Sequence, residues 1–361
     1  MRNRFGRAAM LSLAALLLAA SLAVAGCGDD DDDGGGNGEA SQNLQALKVG
    51  IPTVASDFTS YVADSQGFFE EEGLDVTIQD GTAANTASLV SSGDVDIAQF
   101  AAATPLVVSA QGRQTSIIYG LSGGGQGGSI IGAPGEVDTI EKFRELSDCR
   151  IGTFPPGSSA YGYAALYNEN LDLGCDLVPF QDAPSQIAAL AANRVDVIVG
   201  ALGNWTEALG DEQVVLLMDS RDPDQREEFI GEPFPETVFW GIAETLESKR
   251  ESVAAFLSGI DKARQFLQDS STEEIAEAVS EYESFSSLPE AALHNGIETF
   301  KAYVGVGSDD GFITEDQWSV GLERYALWGL PRFDAQADSN SYENAVDMSY
   351  YTDGIGEPGG S

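Results

Sequence analysis

Histidine is all but absent, with one residue in 361, and cysteine occurs three times. Zinc sites built from Cys and His, and catalytic metals held by several histidines, are thereby excluded. A triad-type serine or cysteine nucleophile needs a histidine beside it. The single one, His294, falls in a late helical stretch and reads as a surface or capping residue. Basic side chains are also scarce: 18 Lys and Arg stand against 58 Asp and Glu, a net charge of -40. Such a chain repels nucleic-acid phosphate and reaches an anionic lipid surface only through a covalent anchor. Gly123, Gly125 and Gly128 match G-x-G-x-x-G, but no Gly-Lys-Ser/Thr follows and no strand-turn-helix context surrounds them. Residues 122–129 read instead as a flexible crossing between lobes. Aligning Gly311 with the glycine of a calcium loop puts Val306 first and Gln317 last, where acids are required, so that reading fails. The expectation is a protein with no catalytic residue, metal or cofactor.

What is present begins with a targeting segment. Arg2, Arg4 and Arg7 precede an uncharged apolar stretch, 8–26, that ends at Cys27. This is a secretory layout, and Val24-Ala25-Gly26-Cys27 resembles a bacterial lipobox. The expectation is a signal peptide at 1–26, lipid on Cys27 and an acidic, glycine-rich tether at 27–43; a retained membrane helix is the alternative. Removing Cys27 leaves Cys149 and Cys175 as an even pair. Each sits just before a β-like run, and neighbouring parallel strands lie about 4.8 Å apart, within reach of a disulfide. Two free buried thiols are the alternative.

The whole chain is 43% hydrophobic, and what remains is long enough for two domains. Strands are expected at 48–52, 74–79, 95–98 and 115–119, with helices at 58–72, 82–92 and 104–111 between them. A second series follows: helix 139–146, strand 150–154, helix 159–170, strand 176–181, helix 184–193 and strand 195–199. Alternation of this kind implies parallel sheets covered by helices. Residues 87–98 (ASLVSSGDVDIA) and 188–199 (AALAANRVDVIV) are weakly similar, which is compatible with two lobes of like topology. Residues 219–235 read as loop and 236–243 as a strand. Helices at 248–267, 272–281, 289–303 and 315–328 follow, the last two opened by Ser287-x-x-Glu290 and Thr314-x-x-Gln317 capping boxes. The polar tail from Asp334 onward shows no regular pattern.

Residues 48–52 (KVGIP), 67–76 (GFFEEEGLDV) and 92–97 (SGDVDI) resemble the opening of nitrate/sulfonate/taurine-type substrate-binding proteins. Residues 151–159 (IGTFPPGSS), 195–199 (VDVIV) and 310–314 (DGFIT) continue the likeness, which covers about 46–330. Receptors for thiamine-pyrimidine precursors, and some pyrimidine-synthesising enzymes, share that fold. The resemblance implies an α/β, two-lobe periplasmic-binding-protein fold of type II, each lobe a mostly parallel sheet flanked by helices, with additional C-terminal helices. Lobe 1 is expected at 44–122 and 236–361, and lobe 2 at 123–235. The implied role is a monomeric, lipid-anchored extracytoplasmic receptor that hands a small solute to an ABC permease/ATPase complex. A sensory receptor and an enzyme of the same fold are the rival classes. One departure is the loop 200–205 (GALGNW), which lacks the family's Trp/acidic/Pro cluster.

Ligands of open parallel sheets bind beyond the carboxyl ends of the strands. The loops there supply Thr53, Asp57, Phe58, Thr82, Asn85, Phe100 and Thr104 from the first series, and Ser158, Ser159, Tyr161, Asp182, Asn204 and Trp205 from the second. No Lys or Arg occurs in these loops. Gly157-Ser158-Ser159 opens a helix whose N–H groups can hold an oxygen. Acids beside aromatic faces favour a nitrogen-containing, flat, cationic or neutral solute. A sulfonate, taurine or nitrate receptor is the alternative. Asp57 and Ser158 have simple helix-capping readings, and Trp205 has a core reading.

Overall fold

Our computed structural model describes residues 45–52, 57–81, 85–304, 310–331 and 333–359. The expected signal peptide, Cys27, the tether, Thr53 and Thr82 lie outside the described residues. Ten strands are described: β1 (Gln45–Pro52), β2 (Leu74–Gly81), β3 (Ile97–Ala101), β4 (Thr115–Gly123), β5 (Ser129–Gly132), β6 (Arg150–Thr153), β7 (Asp176–Pro179), β8 (Val197–Gly200), β9 (Val215–Met218) and β10 (Pro235–Ile242). They form two sheets of five, ordered β2-β1-β3-β10-β4 and β7-β6-β8-β5-β9. In each sheet four strands run in one direction, and the fifth, inserted antiparallel between two of them, is the first strand after the chain crosses from the other sheet. The two lobes therefore have one topology, and each is completed by the strand that enters it.

The weak repeat in the sequence has a packing cause. Gly50 of β1 leaves room for Val95, whose Cγ2 lies 3.2 Å from where a Cβ on Gly50 would be. Gly152 of β6 does the same for Val195, with Cγ2 at 3.3 Å. The following aspartates each hydrogen-bond a backbone N–H of the neighbouring strand. Asp96 Oδ2 accepts from Lys48 N at 3.0 Å, and Asp196 Oδ2 from Arg150 N at 2.8 Å. Each helix before the motif ends in a left-handed residue, Gly93 (φ 81) and Asn193 (φ 52). Glycine and asparagine are the residues that tolerate this conformation.

The cores follow from alternation. Leu47, Val49 and Ile51 of β1 are fully buried. Phe239 of β10 meets Phe256 of the helix Arg250–Asp269, and that ring stacks on Phe69. Cys149 and Cys175, placed before the parallel pair β6 and β7, form a disulfide with a Cα separation of 4.3 Å.

Several local expectations need correction. Residues 129–132 form β5, an apolar strand too short to read by periodicity, and 215–218 form β9. The stretch 219–235 contains the helix Pro223–Phe229, started by Asp222, whose Oδ1 accepts from Asp224 N and Gln225 N. Ser287 starts no helix: it ends Glu283–Ser286, and Glu290–Lys301 begins after Pro289. The Thr314–Gln317 box is present, and a further one, Ser271 with Glu274, starts Thr272–Ala278. The tail is ordered where aromatics reach the core, with Tyr350 and Tyr351 buried on the helix Ser349–Gly354.

Packing accounts for the glycines of the crossing 124–128. A Cβ on Gly124 would lie 2.3 Å from the Phe234 ring, one on Gly127 2.5 Å from Ser159 Oγ, and one on Gly128 2.8 Å from Tyr167 Oη. Glycine is there because three aromatic or polar side chains press on the backbone. Trp328, beyond the helix Glu315–Ala326, reaches the lobe-2 helix Ser159–Asn170. Its carbonyl accepts from Gly157 N at 2.6 Å, and a side chain at Gly162 would collide with its ring.

Candidate solute-binding cleft

On the first sheet, Asp57 follows β1 and is fully buried. Its Oδ1 accepts from Thr59 N at 2.8 Å, and its Oδ2 from Ser60 Oγ at 3.2 Å. It thus starts the helix Thr59–Ser65, as the capping reading expects. Burial pushes its carboxyl up to about 6, against the hydrogen bonds that favour the ion. Among the described residues it has no ion-pair partner. Phe58 is buried in an aromatic cluster, 5.0 Å from the Phe285 ring and 5.5 Å from Phe300. Tyr61 beside it donates to Asp80. Asn85 is exposed before the helix Thr86–Ser92. Phe100, half-buried, is paired with Val238 near the end of β3, and Thr104 is half-buried in the first turn of Ala103–Ser109.

On the second sheet, Ser158 caps the helix Ser159–Asn170: its Oγ accepts from Tyr161 N at 3.2 Å and donates to Pro155 O at 2.8 Å. Ser158, Ser159 and Tyr161 are all half-buried. Asp182 is exposed and caps Ala183–Ala191 through Ser185 N, a bond that holds its carboxyl below the usual range. Asn204 is exposed on the short helix Leu202–Trp205. Trp205 is 1% exposed within the lobe-2 core and donates from Nε1 to Gln186 Oε1 at 3.3 Å. Phe58 and Trp205 are therefore closed off, whereas Phe100, Ser159 and Tyr161 are half-buried. The two sides approach each other at several places, among them Trp328 against Gly157 and Ser220 Oγ against Tyr303 Oη at 2.7 Å. Gly203 lies beside Asn295 of the helix Glu290–Lys301, and a residue absent from the sequence reading, Glu236, joins the crossing to the first sheet.

Glu236 is the second residue of β10. Because β10 runs antiparallel to β3, its start lies level with the carboxyl end of β3, and Ala102 N donates to the Glu236 carbonyl at 2.9 Å. The carboxylate Oε2 accepts from Gly125 N at 2.8 Å, Gln126 N at 3.2 Å and Tyr163 Oη at 2.7 Å. Glu236 is 3% exposed, and burial raises its pKa; the hydrogen bonds from Tyr163 and Gly125, then the Ser159 hydroxyl, act the other way. It too lacks an ion-pair partner among the described residues. Polar atoms buried without a hydrogen-bond partner also occur at this edge: Ser122 Oγ at the end of β4, Thr153 Oγ1 at the end of β6 and Gln186 Nε2 after β7. Each such orphan costs about 1–3 kcal/mol. The only sequence signal for Glu236 is a lone acid opening an apolar strand, Glu-Thr-Val-Phe-Trp.

A model of proteins described as NMT1/THI5 like matches residues 57–273. The chain belongs to the NMT1/THI5-like family. Within the curated relatives of this family member, YtlA of Bacillus subtilis (strain 168), whose name gives it a binding role and no ligand, is 24% identical over 269 residues. That alignment covers 72% of this chain and 76% of YtlA. The periplasmic aliphatic sulphonate binding protein SsuA of Escherichia coli superposes with a TM-score of 0.62 at 13% identity, covering 78% of this chain and 86% of its own. The ligand binding component of an ABC-type import system from Staphylococcus aureus, solved with zinc bound, gives 0.61 at 15% identity, covering 87% and 100%. The family member thus has the two-lobe periplasmic-binding-protein fold.

Proposed function

We propose that this chain is an extracytoplasmic receptor that binds a small, flat, nitrogen-containing solute between its lobes and delivers it to an ABC importer. Family membership and the names of the structural neighbours support the receptor role. The observation that carries the ligand class is Asp57, a fully buried carboxylate at the ligand edge of β1 with no ion-pair partner among the described residues. The loops around it contain no Lys or Arg. An ion left in that position favours a ligand that brings the opposite charge. The half-buried Phe100 and Tyr161 offer ring faces for a cation, worth about 0.5–2 kcal/mol each depending on desolvation.

In this reading 44–122 with 236–361, and 123–235, are the lobes that close on the solute, Cys27 carries the lipid, and binding proceeds without turnover. The test uses three probes of one shape: benzamidine, benzamide and benzenesulfonate, with nitrate and taurine added. Calorimetry should rank benzamidine first, and Asp57→Asn should weaken it at least tenfold while leaving benzamide unchanged. Tight taurine, sulfonate or nitrate binding, insensitive to Asp57→Asn, would replace this reading with an anion receptor, for which the helix start at Ser158 and Ser159 is the natural seat.

A further inference from the structure

Four donors converge on one point of the cleft floor. Gly125 N and Gln126 N come from the crossing, Tyr163 Oη comes from the first turns of the helix Ser159–Asn170, and the Ser159 hydroxyl stands beside them. Two adjacent backbone N–H groups, a phenol and a hydroxyl at a helix start make a receptor for an oxyanion. In this protein the receptor is already filled. The occupant is the carboxylate of Glu236, which enters from the other lobe on β10 and is 3% exposed.

We propose that Glu236 is a specificity-determining residue that occupies, from within, the place an anionic solute would take, so that the cleft rejects oxyanions. The proposal deepens the cation-receptor reading and rests on it for the identity of the favoured solute. The slot itself is argued from its donors alone. Two effects act together. The donors are consumed, so an incoming anion finds none free. The fixed negative charge also lies in a site shielded from water, where like-charge repulsion is strong. Discrimination by a built-in repulsive group is a common route to specificity. Glycine at 127 is part of the same construction. A side chain there would lie 2.5 Å from Ser159 Oγ and displace the hydroxyl from the slot. Tyr163 is the positioning residue: its hydroxyl also meets Gly125 N, so one phenol ties the carboxylate to the crossing.

Removing the carboxylate empties the slot, and a small carboxylate in solution should refill it. In the full-length protein, Glu236→Ala should gain at least about 2 °C in Tm from sodium formate or methanesulfonate, relative to sodium chloride at equal ionic strength. The parent should gain nothing beyond the chloride effect. Glu236→Gln keeps the slot filled by a neutral group and should show no rescue. If Glu236→Ala accumulates only when refolded in formate, that requirement is itself the rescue. If it folds and formate does no more than chloride, or if formate fails to restore a misfolded variant, the slot assignment is overturned. A separate arm titrates benzamidine into the parent. Its failure with formate rescue intact defeats the cation-receptor reading and leaves the slot standing, and the reverse pattern defeats the slot alone.

Discussion

The two lobes share a topology and differ in what they bring to the cleft. Register makes the comparison residue by residue. Val49 pairs with Ile97 in the first sheet as Ile151 pairs with Val197 in the second. Phe100 is opposite Val238, and at the matching level Gly200 is opposite Ser129. Two residues before these inserted-strand partners stand Glu236 in one lobe and Gly127 in the other. The first lobe thus contributes an acid and a ring where the second contributes two glycines and a helix start. The scaffold positions are nearly interchangeable: Gly50, Val95 and Asp96 do the work of Gly152, Val195 and Asp196. The correspondence holds where it sets packing and breaks at the carboxyl edge of the sheets.

The largest difference to break is the disulfide, which only the second lobe has. Its Cys149→Ser/Cys175→Ser variant should lose about 3–4 kcal/mol, the loop-entropy value for a segment of this length. Denaturant unfolding should show the loss, and hydrogen exchange should place it around β6 and β7.

Next come the two capping aspartates in unlike surroundings. Asp57 has a folded-state carboxyl near 6, above its unfolded value of 3.8. Ionised, it therefore costs stability above about pH 6, by up to about 3 kcal/mol. The cost disappears below about pH 4, where both states are protonated. Asp57→Asn should unfold at a higher temperature than the parent at pH 7 and lose that advantage as the pH falls toward 4. Asp182→Asn should show the opposite sign and a smaller effect, because its folded carboxyl is lowered and exposed. Thermal melts of both variants across pH 4–7 would test the pair.

Asp96 and Asp196 sharpen the likeness. Each accepts from a backbone N–H of the neighbouring strand and meets a cation, Lys249 at 2.7 Å and Arg150 at 3.6 Å. Replacement by Ala should cost about 1–2 kcal/mol in either lobe, the more in the first, where the pair is shorter and Asp96 less exposed. A loss confined to one lobe in urea titrations would show that the repeat is not energetically equivalent.

The smallest effect is at the left-handed pair. Asn193→Gly should change stability by less than about 1 kcal/mol, and Gly93→Ala should cost more than that, since alanine gains no local hydrogen bond at φ 81. Equal melting shifts would contradict the backbone argument.

Much of this molecule was legible from spacing. Alternation marked most parallel strands, the cysteines stood before two runs that proved to be neighbours, and Thr314-x-x-Gln317 is a capping box in fact. Short apolar strands such as β5 escaped, because four residues carry no period. Ser287-x-x-Glu290 failed because Pro289 and the preceding helix decide that boundary. Of the candidate site residues, those beside a helix start were legible as caps. Whether a ring was buried was not: Trp205 and Phe58 are buried and Phe100 is half-buried, yet all three stand near the carboxyl ends of strands in the sequence.

The sequence by itself determined the class: two βα series, and two cysteines placed before strands that pair. Those properties depend on composition and on neighbours a few residues apart. Tertiary structure alone decided what surrounds Glu236. Its donors are 73 to 111 residues away in the chain, and an antiparallel insertion reverses which end of its strand meets the ligand edge. Sequence patterns report the face of a strand, but its direction and neighbours in a sheet are set by long-range pairing, which no local pattern encodes.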